Sequence, residues 1–148
     1  MGDRANIVII EGEAPPLFLY THWSGWELGE TLATALDSPA GRGRWNDSAY
    51  LTRIIFCQMV KGQESGETGF GIATSPPDNS YAYLVVDVTG QKVRLVTPGS
   101  GDFVTPAVHD QVTLEWSFAD VALDPEWFGE TWQAVAGANV IPERKVKA

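Results

Sequence analysis

The apolar residues of this 148-residue chain change their spacing three times along the sequence, and that order limits the folds open to it. Runs of β-branched and aromatic residues near the N-terminus, "ANIVIIEG" and "LFLYTH", are typical of two strands. Leu28, Leu32 and Leu36 then recur every four residues, which is the spacing of an amphipathic helix. Strand patterns return later, before a final helical segment. Because strands and helices occupy separate parts of the chain, the order predicts an α+β fold rather than an alternating βαβ fold.

The remaining elements complete this prediction. "WNDSAYLTRIIFCQMVKG" predicts a second helix that is apolar on most faces and therefore lies centrally against the sheet. Four more strands are predicted in "GFGIAT", "SYAYLVVDVTG", "QKVRLVTP" and "QVTLEWSF". Asp124 and Pro125 suit the start of a C-terminal helix, and Gly137 suits its end. We therefore expect one sandwich domain over residues 1–141, with a β-hairpin, two central helices, a mostly antiparallel sheet and a C-terminal helix, followed by a mobile basic tail over 142–148.

The charge and the cysteine content exclude several classes of function. The chain has 19 acidic and 10 basic residues, a formal net charge of −9. Direct nucleic-acid binding is not expected, because a phosphate backbone requires a basic face. The single cysteine, Cys57, excludes an internal disulfide, fits a reducing cytoplasm and is expected in the core of the second helix. No segment reaches the roughly 18 to 20 apolar residues that span a bilayer, so we expect a cytoplasmic protein without membrane contact. Its oligomeric state, monomer or homodimer, is left open.

The segment "LYTHWSGWELGE" contains the first candidate site. Ser24 and Glu27 have the spacing of a capping box, which predicts that a helix begins just after Ser24. Unpaired N–H groups and the helix dipole at such a start favour an anion. His22 can add a hydrogen bond or a charge, and Trp23 or Trp26 can provide a flat wall for a ring. In the alternative interpretation Ser24 only caps the helix, His22 binds a backbone carbonyl and the tryptophans fill the core.

The segment "GRGRWNDS" contains the second candidate site. Arg42 and Arg44 precede the start of the second helix, and Arg53 lies within it. The planar guanidinium donates two parallel hydrogen bonds and is the preferred partner of phosphate and carboxylate. We therefore predict these arginines as partners of the same anionic ligand; alternatively they pair with acidic side chains on the surface. The segment lacks the Lys-Ser/Thr ending of a nucleotide-hydrolase phosphate loop.

Evidence for catalysis or a metal is weaker. An enzyme of this sequence would use His22 as a general base with Asp47 or another carboxylate. His109 and Asp110 would not form an acid–base pair on a strand, because neighbouring residues of a strand point to opposite faces. We place both residues in a loop without catalytic function. Two histidines and one cysteine argue against zinc, so no metal or cofactor is predicted, although a carboxylate magnesium site stays open. No nucleophile elbow of a serine hydrolase is present.

The first half of the chain carries a resemblance to known sequences. "RANIVI" followed by "LYTHWSGWELGETLATAL" resembles uncharacterised small proteins of phages, prophages and actinobacterial genomes that share a Tyr-x-His-Trp-x-Gly motif near the N-terminus. The motif corresponds here to Tyr20, His22, Trp23 and Gly25. "RWNDSAYLTRIIF" and "TGFGI" are similar to its continuation. The resemblance implies a phage-encoded protein that acts in the host cytoplasm by binding a host factor or metabolite, and it implies no particular activity.

Three functional hypotheses follow from the sequence. The first is a binding protein without catalysis that holds a small anionic, nucleotide-like ligand, with the predicted ligand-binding residues His22, Trp23, Ser24, Trp26, Arg42, Arg44 and Arg53. The second is a nucleic-acid mimic or host-protein inhibitor, because the stretch from Leu95 to Pro142 has no Lys or Arg and seven acids: Asp102, Asp110, Glu115, Asp120, Asp124, Glu126 and Glu130. The third is a hydrolase with His22 as its base.

Overall fold

A six-stranded sheet lies at the centre of the computed structural model, which describes residues 3–77, 79, 81–96 and 112–136. The strands follow one another across the sheet in the order β3-β2-β1-β4-β5-β6. Neighbouring strands are antiparallel except for β1 and β4, which are parallel. The predicted α+β class with a mostly antiparallel sheet is confirmed. The strands are β1 (Ala5–Ile10), β2 (Leu17–Thr21), β3 (Phe70–Ala73), β4 (Tyr83–Asp87), β5 (Lys92–Val96) and β6 (Val112–Ser117).

Helices cover one face of this sheet, and the first of them contacts the others. The described helices are α1 (Leu28–Asp37), α2 (Pro39–Arg42), α3 (Ser48–Met59), α4 (Phe118–Leu123) and α5 (Pro125–Ala136). A single turn of 3-10 helix, Gly25–Glu27, leads into α1. α1 packs against α2, α3, α4 and α5, and its leucines share one apolar core with Ile7 and Ile9 of β1. The helix that begins at the predicted Pro125 is confirmed, since Asp124 accepts a hydrogen bond from the Trp127 N–H at 3.1 Å.

The prediction that α3 is a central, buried helix is wrong. α3 buries only one stripe, made of Leu51, Ile55 and Met59. Tyr50 is 52% exposed, and Cys57 lies on the surface rather than in the core. α1 takes the central place because small residues let it approach its neighbours closely. Its buried residues are Leu28, Gly29, Leu32, Ala33, Ala35 and Leu36.

Two glycines allow α1 and α5 to pack at close range. A Cβ added to Gly29 would lie 2.3 Å from the Cβ of Trp132, and one added to Gly129 would lie 2.8 Å from the Cβ of Glu30. No real Cβ contact is that short, so neither position accepts a side chain without a shift of the helices. The buried Trp132 then donates its indole N–H to the Gly25 carbonyl at 2.7 Å. The contact therefore ties the C-terminal helix to the turn before α1.

The opposite face of the sheet contains a second apolar cluster. Val8, Phe18 and Val85 are fully buried there, on strands β1, β2 and β4. At the β5 side of this face, Arg94 donates to Asp87 at 2.8 Å and to Glu115 at 2.7 Å. The alternation of "KVRLV", with its valine and leucine on one face and its basic residues on the other, is confirmed by the burial pattern of β5.

Some predictions concern residues outside the described ranges. The tail 142–148, the helix end at Gly137 and the His109–Asp110 loop all belong to this group, so each stays a prediction. Within the described ranges, no helix combines the length and the apolar character that a crossing of a membrane requires.

The close contact of α1 and α5 gives a stability prediction. Gly29→Ala should lower the free energy of unfolding by about 1 to 3 kcal/mol, because the added methyl group overpacks the contact with Trp132. Urea denaturation followed by circular dichroism measures the change. Gly43→Ala is the control, since its added Cβ would meet no atom nearer than 3.9 Å. Equal losses in the two variants would contradict the close contact.

Candidate functional site

Asp3 holds the turn that leads from β2 into α1. Its backbone N–H donates to the His22 carbonyl at 2.6 Å, and its carbonyl accepts from the Gly25 N–H at 2.9 Å. Its carboxylate accepts from the Trp26 N–H at 2.8 Å and from the hydroxyl of Tyr81. A single residue thus fixes both sides of the turn, and the positions of His22 and Trp23 within it follow from these bonds.

The predicted capping box is not formed. The side chain of Ser24 makes no capping hydrogen bond, and its N–H instead donates to Thr21 Oγ1 at 3.1 Å. α1 begins at Leu28, one 3-10 turn later than predicted. The position at the helix start where we expected an external anion is filled by the carboxylate of Asp3. Sequence spacing could not reveal this role of Asp3, because Asp3 precedes β1 and is far from Ser24 in the chain.

A recess opens beside this turn, at the end of β2. It has a volume of about 280 Å³ and is lined by Tyr20, His22, Trp23, Thr68 and Gly69. Trp23 is 58% exposed, and its ring packs edge-on against the ring of His22 with centroids 4.1 Å apart. The volume lies just below the roughly 300 to 1,000 Å³ of common small-molecule sites. The recess therefore accommodates one planar group rather than a whole large ligand.

Gly69 also contacts Trp23. Its φ of +103° lies in a region that other residues rarely adopt. A Cβ at this position would lie 3.2 Å from Trp23 Cδ1, so the indole rests directly against the backbone. Trp23 thus contacts both His22 and Gly69 while a large part of its ring faces solvent.

The hydrogen bonds of His22 define which nitrogen carries its proton. The hydroxyl of Tyr20 lies 2.8 Å from His22 Nδ1, and Arg4 Nε donates to the same atom at 3.4 Å. A guanidinium group can only donate, so Nδ1 is the acceptor in this network. This assignment places the proton of the neutral ring on Nε2. The expected alternative, a bond from His22 to a backbone carbonyl, is replaced by contacts with Tyr20 and Arg4.

The predicted arginines pair with acidic side chains. Arg42 contacts Asp37 at 2.7 Å, and Arg44 lies 3.5 Å from Asp47. Both guanidinium groups also lie over aromatic rings, 5.6 Å from the ring centroid of Trp45 and 4.6 Å from that of Tyr50 respectively. Arg53 is exposed on α3. The alternative interpretation, that Arg42 and Arg44 form surface ion pairs, therefore describes these two residues.

The structure does not bring these arginines to His22. Ser48 Oγ donates to Glu11 at 3.0 Å, which places the start of α3 at the far end of β1. Asp3, beside His22, lies at the near end. With a rise of about 3.3 Å per residue, Asp3 and Glu11 are about 25 Å apart along β1. The contacts of the described residues therefore do not join Arg42, Arg44 or Asp47 to His22, and a site that combines both groups stays a prediction.

Trp26 and Ser24 do not line the recess. Trp26 is 44% exposed and lies on the α5 side of the turn, with its ring centroid 6.5 Å from that of Tyr81. Its carbonyl accepts from Gln133 at 3.3 Å. Of the predicted ligand-binding residues, the structure therefore places His22 and Trp23 together at the recess.

Arg4, Thr68 and Gly69 are the site residues that the sequence analysis missed. The sequence assigned "GFGIAT" to a strand, and nothing in its letters shows that Gly69 adopts a positive φ. Arg4 belongs to the segment before β1, and only the pairing of β1 with β2 brings it to His22. Long-range strand pairing, which sequence spacing does not encode, assembles the recess.

Comparison with known proteins identified no relative: no protein-family model, no curated protein and no solved structure matches the chain. The resemblance to phage and actinobacterial proteins therefore stays a prediction. In the part of the chain that the structure describes, no three His, Cys, Asp or Glu side chains converge as a metal ion would require.

The bond between Tyr81 and Asp3 predicts a pH effect. The hydrogen bond to Asp3 raises the pKa of Tyr81 to about 12, from an ordinary value of 10.0. Because the pKa is raised in the folded state, the stabilisation is fully present below about pH 10 and is lost as the pH rises through about 12. Asp3→Asn should move one tyrosine titration down toward its ordinary range, as measured by ultraviolet absorbance of tyrosinate. Asp37→Asn, which removes a surface carboxylate, is the control, and an unchanged titration in Asp3→Asn would contradict the role of Asp3.

Proposed function

We propose that the protein binds a small anionic, nucleotide-like ligand without catalysis, with the planar ring of the ligand in the His22–Trp23 recess. The observation that carries this proposal is that the ring of Trp23 contacts both His22 and Gly69 and is nevertheless 58% exposed. Large exposed aromatic residues that are held rigidly beside a recess are suited to stacking against a ring. An indole with no binding role is usually buried more completely.

The charge beside the recess favours an anionic group on this ligand. Arg4 brings a guanidinium to His22, in a chain whose formal net charge is −9. An acidic protein repels anions at long range, so local positive charge and N–H donors must compensate where an anion binds. In this proposal Arg4 and His22 supply that compensation, in addition to the contacts that Arg4 makes within the chain. They take the role first predicted for Arg42 and Arg44, which pair with Asp37 and Asp47.

The geometry favours binding over hydrolysis. A histidine that acts as a general base in a catalytic triad receives orientation from a carboxylate at its second nitrogen. Nδ1 of His22 instead accepts from Tyr20 and Arg4, and Asp47 lies near the far end of β1. Among the described residues, the side chain of His22 has Tyr20 and Arg4 as its hydrogen-bond partners and no carboxylate, which supports a hydrogen-bonding role.

A second candidate function, binding or inhibition of a host protein through an acidic surface, has support of its own. Asp120, Glu126 and Glu130 are exposed on α4 and α5, within the stretch that has no basic residue. The resemblance to phage proteins would place such binding in the host cytoplasm. If this function holds, replacing Glu126 and Glu130 by Gln should weaken capture of one stoichiometric host protein and reduce the sensitivity of that capture to salt.

Calorimetry with AMP, GMP, CMP and UMP tests the leading proposal. Trp23→Ala should weaken the tightest of these nucleotides by about tenfold or more, because stacking on an aromatic side chain contributes about 1 to 3 kcal/mol per base. Trp26→Ala is the matched control and should leave the affinity unchanged, since Trp26 lies outside the recess. The absence of binding by all four nucleotides at millimolar concentration would contradict the proposal.

The arginine variants give an independent prediction. Arg4→Gln should weaken nucleotide binding by about fivefold or more, through loss of a charge-assisted contact. The double variant Arg42→Gln, Arg44→Gln should bind as the unchanged protein does, because both side chains are paired with carboxylates near the far end of β1. The reverse pattern, measured by the same calorimetry, would return the ligand to the arginine segment.

A further inference from the structure

β3 forms an edge of the sheet, and its hydrogen bonding leaves main-chain groups directed outward. The His22 N–H donates to the Gly69 carbonyl at 2.8 Å, in register with the pairs Tyr20–Gly71 and Thr21–Phe70. Hydrogen-bonded positions alternate along an antiparallel strand. Positions 69, 71 and 73 therefore bond to β2, whereas the N–H and C=O groups of Phe70 and Ile72 point away from it. No described strand pairs with β3 on that side.

The same strand lacks bulky side chains on the side of the recess. Positions 69, 71 and 73 are Gly, Gly and Ala, and their side of the sheet is the one to which Tyr20 and His22 project. A Cβ added to Gly71 would meet nothing within 4 Å. The space beside Gly71 is therefore open to a side chain from a strand added at this edge. On the other side of the strand, Ile72 is 56% exposed.

We propose that an extended peptide segment of a partner protein adds to β3 as a further strand. Its main chain bonds to Phe70 and Ile72, and an aromatic side chain opposite Gly71 crosses that glycine into the recess. Strand addition of this kind takes affinity from main-chain bonds and specificity from a pocket for alternate side chains. An aromatic residue that covers a glycine on the neighbouring strand is a favourable cross-strand pair. The aromatic part of the inference rests on the proposed function, since it uses the same recess; the strand addition rests on β3 alone.

The occupant is a different chain rather than a second copy. Antiparallel pairing of two β3 strands would bring Gly71 and Ala73 of the copy to the side of the recess. Those residues cannot fill it, and Trp23 would stay exposed. β3 also carries no charged residue from Phe70 to Ala73, although exposed edges commonly carry charges that prevent strand addition. A partner with a bulky ring at one position uses both the open edge and the recess.

Synthetic peptides test this inference directly. The probes are seven-residue peptides of alternating Thr and Val whose central residue is Trp, Tyr or Ala, and binding is measured by calorimetry and by the amide resonances of Phe70 and Ile72. We expect the Trp or Tyr peptide to bind about tenfold or more tightly than the Ala peptide. Methylation of the peptide main-chain nitrogens that face β3 should reduce binding by about tenfold or more, because it removes the strand-forming bonds.

A protein variant provides the complementary measurement. Ile72→Pro removes the outward N–H and is tolerated at an edge strand, so it should abolish peptide binding, whereas the control Ile72→Val should retain it. Unchanged affinity for the N-methylated peptides or for Ile72→Pro would overturn the proposal. The proposal would also be overturned if none of the three peptides bound at millimolar concentration. It would likewise be overturned if the protein formed a dimer that dissociated only in the variant Ile72→Pro. Nucleotide binding should persist in Ile72→Pro; peptide binding in a protein that binds no nucleotide would support strand addition and contradict the proposed function alone.

Discussion

The hydrogen bonds of Asp3 are the constraint on which the candidate site depends. The residue joins the start of β1 to the end of β2, caps the turn before α1 and fixes Tyr81. Because its carboxylate fills the anion position at the helix start, an external ligand has no need of that position. The turn instead presents His22 and Trp23 at its outer side. The recess is thus a consequence of satisfying the backbone groups of the turn within the chain itself.

The packing of the helices supports this turn from behind. Gly29 and Gly129 let α5 approach α1, and Trp132 reaches the Gly25 carbonyl from α5. The turn is therefore held between Asp3 on the strand side and Trp132 on the helix side. A rigid turn matters for binding, because an exposed indole that is already ordered loses less conformational entropy when a ring stacks on it. The same rigidity keeps the Gly69 backbone against Trp23, next to the open edge of β3.

The sequence predicted where the helices and strands lie in the chain better than it predicted which of them pack together. Periodicity located the strands and the stripe of α1, and the chemistry of Asp124 and Pro125 located α5, because these signals are local. The central position predicted for α3 was wrong, because apolar residues on most faces of a helix do not indicate which other elements pack against it. His22 and Trp23 meet at the recess because they are adjacent in sequence. The contacts of the described residues do not join the arginines to that site, because α1 carries the chain to the other end of β1 before they occur.

The most direct test of the account is a titration of the protein with the four ribonucleoside monophosphates, followed through the indole N–H resonances of its six tryptophans. Trp23→Phe assigns the resonance of Trp23. We expect the Trp23 resonance to shift in a saturable manner, while that of Trp45, which lies beside Arg42, stays in place. A saturable shift of Trp45 without one of Trp23 would assign the ligand to the arginine segment. No shift at any indole would contradict a nucleotide-like ligand in the recess.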